Sequence, residues 1–217
     1  MSAMQLAALS EQLELADQLL TEGASMFEPQ DLPGRYGRVI SAVDHLLQAT
    51  QSVAVLGGGW AVWRHGYIGR VTQDVDIALP ARNVDDFLRA ATLAGFERLP
   101  LQKGRWPKVL HKETGVQVDI LPEGARPGTA ARPAPTTIPH PEKMGASGCR
   151  LRYMTLPSLI ELKLAAGRAR DESDVVELIR ANRDEVEAIR QHLIAIHADY
   201  VRSFDALLKR ARDQDED

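Results

Sequence analysis

Hydrophobic residues recur at helical spacing near both ends of the chain. Within residues 1–50 they stand three or four positions apart in two stretches, and the loop-forming residues 28–34 separate these stretches. Near the C-terminus the same spacing is kept by Ile189, Leu193, Ile196, Tyr200, Phe204 and Leu207. We therefore predict an N-terminal helical segment over 1–50 and a C-terminal helical segment over 151–217, in which helices begin at Pro157.

The central part of the chain alternates between strand-like and helix-like stretches. Residues 53–56, 74–79, 106–111 and 116–121 are short apolar or alternating runs, whereas 84–93 has the periodicity of an amphipathic helix. Interleaved strands and helices predict an α+β fold, with a small mixed β-sheet flanked by the N- and C-terminal helices.

We expect the core segment to span 51–150. Its last part, 123–150, is rich in Pro, Gly and Ala and predicts a long irregular crossing. No internal repeat is visible, so the three segments are not copies of one unit.

Composition and charge exclude several classes of protein. The 217 residues are 44% hydrophobic and 26% charged, which excludes wholesale disorder. The longest near-apolar run, Val53–Trp63, has about half the length of a membrane span. The single cysteine, Cys149, excludes an internal disulfide and a cysteine-rich metal site. With no Lys or Arg in the first twenty residues to form a secretory leader, we expect a cytoplasmic protein with no membrane partner.

The net charge of −4 does not indicate a nucleic-acid-binding protein, but one stretch departs from the average. Between residues 98 and 112 there is no acidic side chain. The basic residues there are Arg98, Lys103, Arg105, Lys108 and Lys112. Two interpretations stay open, a solvated hairpin or a surface that attracts phosphates.

Three aspartates stand on the predicted strands. Asp74 and Asp76 are two positions apart, so both side chains leave the same face, opposite the apolar residues of that strand. Asp119 is placed in the same way on a later strand. If the two strands are neighbours, three carboxylates converge, and such a set holds two Mg²⁺ ions about 3.5–4 Å apart in enzymes that transfer phosphoryl groups. The alternative is an exposed acidic edge.

A glycine turn at 57–59 lies between a predicted strand and a predicted helix. Glycine allows close backbone approach, and a helix N-terminus offers free N–H groups to an anion. The turn is not a Walker loop, because no Gly-Lys-Ser/Thr follows it.

Together these residues resemble a known family. Residues 56–62, 69–72 and 74–77, followed by Asp119, are similar to the signature of the DNA polymerase β-like nucleotidyltransferase superfamily. The segment 159–175, with Lys163, resembles AbiEii-type toxin nucleotidyltransferases, whereas the stretch around Trp60 also resembles aminoglycoside and lincosamide nucleotidyltransferases.

The resemblance implies a role for each site residue. Asp74, Asp76 and Asp119 would hold Mg²⁺ or Mn²⁺, and Lys163 would complete the catalytic set. The nucleotide would be bound by Gly58, Gly59, Arg70, Thr72 and Lys163. For Lys163 the bland alternative is a snorkelling lysine at a helix edge, and for Arg168, Arg170, Asp171 and Asp174 we expect an ion network on a helix surface.

The implied reaction moves a nucleoside monophosphate from an NTP to an acceptor. A tRNA or a protein hydroxyl is favoured as the acceptor, and the toxin-like branch implies an antitoxin partner. The alternatives are an antibiotic-modifying nucleotidyltransferase and a catalytically silent binding module on the same fold.

Overall fold

A six-stranded mixed sheet lies at the centre of the computed structural model, which describes residues 3–21, 28–101 and 104–216. The strands are β1 (Ala54–Leu56), β2 (Asp74–Leu79), β3 (Phe96–Arg98), β4 (Lys108–His111), β5 (Gln117–Pro122) and β6 (Leu151–Tyr153). The helices are α1 (Ala3–Thr21), α2 (Gly34–Ala49), α3 (Gly58–Arg64), α4 (Val84–Leu93), α5 (Leu156–Ala166), α6 (Ala169–Ala181), α7 (Val186–Ile196) and α8 (Ala198–Glu216).

The order of strands across the sheet is β3-β4-β5-β2-β1-β6. Pairs β1–β6 and β2–β5 are parallel, whereas β1–β2, β3–β4 and β4–β5 are antiparallel. The predicted α+β class with a mixed sheet is therefore confirmed. None of the described helices is long and apolar enough to cross a lipid bilayer.

The core follows the predicted alternation. Val75, Ile77 and Leu79 of β2 are fully buried, and Val118 and Ile120 of β5 are buried beside them. Their strands alternate with a period of two, so the aspartates between these residues lie on the opposite face.

Helices complete this core with their own buried apolar residues. Phe87, Leu88 and Ala91 form the buried face of α4, as predicted. Trp60 of α3 is buried with its ring centroid 4.5 Å from that of Tyr36 on α2, so Trp60 packs between helices rather than at the surface.

The sequence analysis missed two strands, β3 and β6. Each has only three residues, too few to show an alternating pattern. The hydrophobic stripe near the C-terminus also spans two helices, because the backbone becomes extended at His197 between α7 and α8. Residues 22–27 of the predicted N-terminal segment and Lys103 of the basic stretch lie outside the described residues.

Candidate active site

The parallel pairing of β2 with β5 brings the three predicted carboxylates to one face of the sheet. Asp76 is the direct partner of Asp119, and Asp74 is opposite Gln117. Adjacent strands lie about 4.8 Å apart, and paired residues point to the same side. All three aspartates are half-buried. The sequence analysis supposed that the two strands with aspartates are neighbours, and the pairing of β2 with β5 confirms this.

Asp76 is the carboxylate most affected by this arrangement. Burial raises its pKa to about 7, and the negative charges of Asp74 and Asp119 act in the same direction. The positive charges of Lys163 and Arg168 lower it but do not compensate. The position thus strongly disfavours a bare negative charge and favours either a proton or a cation.

Asp119 already has partners. Lys108, which stands directly opposite on β4, donates from Nζ to Asp119 Oδ2 at 2.6 Å, and Gln117 Nε2 donates to Oδ1 at 2.5 Å. Within residues 3–21, 28–101 and 104–216, no three His, Cys, Asp or Glu side chains are grouped closely enough to hold a metal ion. The three carboxylates share a face, but Asp119 is turned to a lysine rather than to its fellow acids.

The glycine turn lies directly against Asp76. Gly57 donates its backbone N–H to the carbonyl oxygen of Asp76 at 2.8 Å. Gly58 has a φ of +58°, and a Cβ there would overlap Asp76 Oδ2. A Cβ on Gly59 would overlap Thr72 Oγ1 and Arg70 Nη1. The two glycines are therefore required by close contact, and the four neighbours predicted to bind nucleotide, Gly58, Gly59, Arg70 and Thr72, do lie together.

The loop before β2 is held by hydrogen bonds from three helices. Trp63 Nε1 donates to the carbonyl oxygen of Arg70 at 2.7 Å. Gln12 Oε1 on α1 accepts from the N–H of Thr72 at 3.0 Å, and the Tyr36 hydroxyl donates to the Thr72 carbonyl at 3.2 Å. Gln12 was missed by sequence analysis, because nothing in the spacing of α1 separates it from an ordinary polar position.

Lys163 belongs to a buried chain of alternating charges. Its Nζ lies 2.6 Å from Asp174 Oδ2 and 3.4 Å from Asp171 Oδ1. Arg70 donates from Nε to Asp174 Oδ1 at 2.7 Å, and Arg168 donates to Asp171 Oδ2 at 2.6 Å. Asp171 and Asp174 are only 4% and 2% exposed, so the expected helix-surface network is wrong for these two residues. Lys163 is 6% exposed, so it is not a snorkelling lysine either.

This chain links the C-terminal helices to the glycine turn. The guanidinium of Arg70 lies against Gly59 and is fixed by Asp174 on α6. Arg170, which precedes it on the same helix, donates to the carbonyl oxygen of Val71. Positive charge is thus anchored beside the glycine turn.

The residues present suit a divalent cation and a triphosphate in chemical type. Carboxylate oxygens are the ligands that Mg²⁺ prefers, and the raised pKa of Asp76 reflects its burial together with the nearby negative charges of Asp74 and Asp119. Thr72 Oγ1 is buried beside Gly59 and has no hydrogen-bond partner within the described part of the chain. Asp119 could join Asp74 and Asp76 around a cation only by releasing Lys108.

Comparisons with known proteins give weak similarities. Neither a protein-family model nor a curated protein sequence matches the chain. The crystal structure of ANT(2'')-Ia in complex with adenylyl-2''-tobramycin is 14% identical, with a TM-score of 0.42 over 82% of this chain and 97% of that one. The solution structure of the antibiotic-resistance factor ANT(2'')-Ia is 14% identical, with a TM-score of 0.45 over 82% and 91%.

JHP933 from Helicobacter pylori is 11% identical, with a TM-score of 0.33 over 82% of this chain and 93% of that one. All three TM-scores are below 0.5, so the similarities are distant. The resemblance to AbiEii-type proteins stays a prediction.

The raised pKa of Asp76 predicts a pH-dependent cost in stability. The folded protein holds this proton more tightly than the unfolded chain does, so stability falls as the pH rises from about 4 to about 7. In EDTA, Asp76→Asn should remove this fall and gain roughly 2–4 kcal/mol over wild type across that interval. Urea unfolding at several pH values measures the free energy of unfolding of both proteins. The exposed control Asp213→Asn should show no such gain, and an equal gain in both variants would contradict the assignment.

Gly58→Ala should disrupt the site because its Cβ overlaps the Asp76 carboxylate. We expect a loss of roughly 2 kcal/mol or more in the free energy of unfolding, from backbone strain together with displacement of Asp76. The matched control is Gly95→Ala, which has a φ of +87° and no atom within 4 Å of the added Cβ. Thermal melting compares the stability of the two variants with that of wild type. If Gly95→Ala is as destabilising as Gly58→Ala, the contact with Asp76 is not what requires glycine at position 58.

Proposed function

We propose that this protein is a nucleotidyltransferase that moves a nucleoside monophosphate from an NTP to a hydroxyl group of an acceptor. The observation that carries the proposal is the parallel register of β2 and β5, which sets Asp76 beside Asp119 while Gly58 packs against the Asp76 carboxylate. Carboxylates on one face of a sheet, beside a glycine turn at a helix N-terminus, are the parts that phosphoryl transfer requires.

In this proposal each residue has a defined task. Asp74, Asp76 and Asp119 would hold Mg²⁺ or Mn²⁺, and the metal would supply positive charge to the phosphates and to the departing pyrophosphate. The backbone of Gly58 and Gly59 faces the triphosphate. Arg70 and Lys163 offset the negative charge of the triphosphate. Both side chains are held in place by a buried aspartate of α6.

The bond changes are those of an in-line displacement. The acceptor oxygen forms a bond to the α-phosphorus, the bond from that phosphorus to the bridging oxygen breaks, and pyrophosphate leaves. Asp119 is the carboxylate that we assign to receive the proton of the acceptor hydroxyl. Arg168 is largely exposed, but its guanidinium acts on the charge of Asp76, so it adds to the positive field around the site.

A tRNA or protein hydroxyl remains our proposed acceptor, although the basic stretch does not form one surface. Lys108 faces the carboxylates, whereas Arg98 is paired with Val109 and therefore points to the opposite face of the sheet. Arg105 is exposed and precedes Lys108 by three residues. It is the basic side chain on which we expect a macromolecular acceptor to depend. An antitoxin partner would belong to the toxin-like form of this proposal.

Transfer itself is tested with α-labelled NTPs and Mg²⁺, offered side by side to total tRNA, cell protein and an aminoglycoside panel. We expect wild type to label one acceptor class and release pyrophosphate. Asp76→Asn should reduce the rate by a factor of about 10³ or more, because it removes one of the carboxylates that would hold the metal ion. Asp213→Asn is the control for a lost surface charge. Labelling that Asp76→Asn leaves intact would contradict the proposed site, and the absence of label in all arms would favour a silent binding module.

The acceptor is tested by charge reversal on the two faces of the sheet. Arg105→Glu should weaken transfer to tRNA by about tenfold at moderate salt, since each phosphate contact contributes to a salt-dependent affinity. Arg98→Glu, with the same change of charge on the opposite face, should have little effect. Initial rates at two salt concentrations measure both. Equal effects of the two variants, or rates independent of salt, would contradict a nucleic-acid acceptor at this position.

A further inference from the structure

Lys108 is the one residue of the basic stretch that reaches the carboxylates within the described part of the chain. It stands opposite Asp119 in the register of β4 and β5, and its Nζ lies 2.6 Å from Asp119 Oδ2. Gln117 occupies the other oxygen, Oδ1. Both oxygens of the third carboxylate therefore have a donor, and one of these donors carries a positive charge.

The charges around Asp119 and Asp76 are unequally balanced. Asp119 has a lysine partner, whereas the Asp76 carboxylate has no ion pair among residues 3–21, 28–101 and 104–216. A divalent cation shared by the two carboxylates would meet the ammonium of Lys108 at the same oxygen. Two cations at one carboxylate repel each other, so they compete.

The pair is placed where exchange is feasible. The side chain of Lys108 is 33% exposed and that of Asp119 is 18% exposed, so the ammonium can swing into water without becoming buried elsewhere. This differs from Lys163, which is 6% exposed and fixed between two buried aspartates. Of the two lysines, only Lys108 is free to leave its carboxylate.

We propose that Lys108 is a built-in counter-cation that occupies Asp119 and competes with a divalent metal ion for it. The inference rests on the proposed function of the same carboxylates. In the absence of nucleotide Lys108 neutralises Asp119 and keeps metal affinity low. When a triphosphate supplies further oxygen ligands and more negative charge, the Lys108 ammonium would leave Asp119 for the phosphates, and Asp119 would be free to hold the metal ion.

The test is a titration of the metal-free full-length protein with Mn²⁺, followed by electron paramagnetic resonance, without nucleotide. Lys108→Met should tighten Mn²⁺ binding about tenfold, because it removes a competing charge. Lys108→Arg keeps the charge and should bind Mn²⁺ as wild type does. The matched control Lys112→Met removes an exposed lysine from the same stretch and should leave the affinity unchanged. Lys108→Gln repeats the charge removal with a polar side chain in case Lys108→Met does not fold, as judged by thermal melting.

A double-mutant cycle of Lys108 and Asp119 separates competition between the two cations from a structural effect of the substitution. In an Asp119→Asn background, Lys108→Met should no longer alter Mn²⁺ affinity, since the oxygen for which the two cations compete has lost its charge. If wild type binds Mn²⁺ and the Lys108 variants bind it no more tightly, the inference is wrong while the proposed function stands. If neither wild type nor the variants bind Mn²⁺, with or without an NTP, both are overturned.

Discussion

The burial of the Asp76 carboxylate, together with its repulsion by Asp74 and Asp119, is the constraint on which the rest of the site depends. Parallel pairing of β2 with β5 fixes these carboxylates side by side, with Asp74 on the same face. The apolar residues between them form the core, so the strands cannot slip by one position without moving all the aspartates inward. The fold thus enforces an arrangement that is unfavourable by itself, and burial raises the pKa of Asp76 accordingly.

Nearby positive charges offset this repulsion only in part. Lys108 binds one carboxylate directly, whereas Lys163, held by Asp174, and Arg168, held by Asp171, act on the charge of Asp76 without an ion pair to it. The C-terminal helices therefore contribute more than cover for the sheet, because α5 and α6 carry the buried charges that position Arg70. A site that combines three carboxylates with anchored positive charges suits a metal ion together with a polyanionic substrate.

Local features of the site could be predicted from the sequence, but its long-range contacts could not. The alternation in residues 74–79 and the three glycines indicated the strand, the turn and the shared face of Asp74 and Asp76. Which strand lies next to β2 is a matter of topology, and no local pattern encodes it. The ion pair of Arg70 with Asp174 joins residues 104 positions apart, and Gln12 reaches Thr72 across 60 positions. The helical partners in these two contacts gave no sign of them, since Asp174 was assigned to a helix-surface network and Gln12 looked like an ordinary polar position.

The central claim, that these three carboxylates bind metal for an NTP, is tested most directly by a crystal structure with Mn²⁺ and a non-hydrolysable NTP analogue. The anomalous signal of Mn²⁺ locates the ion independently of any fitted side chain. We predict a peak about 2.2 Å from carboxylate oxygens of Asp74 and Asp76, with the phosphates over Gly58 and Gly59. A nucleotide bound elsewhere, or a Mn²⁺ peak that none of the three aspartates contacts, would contradict the account.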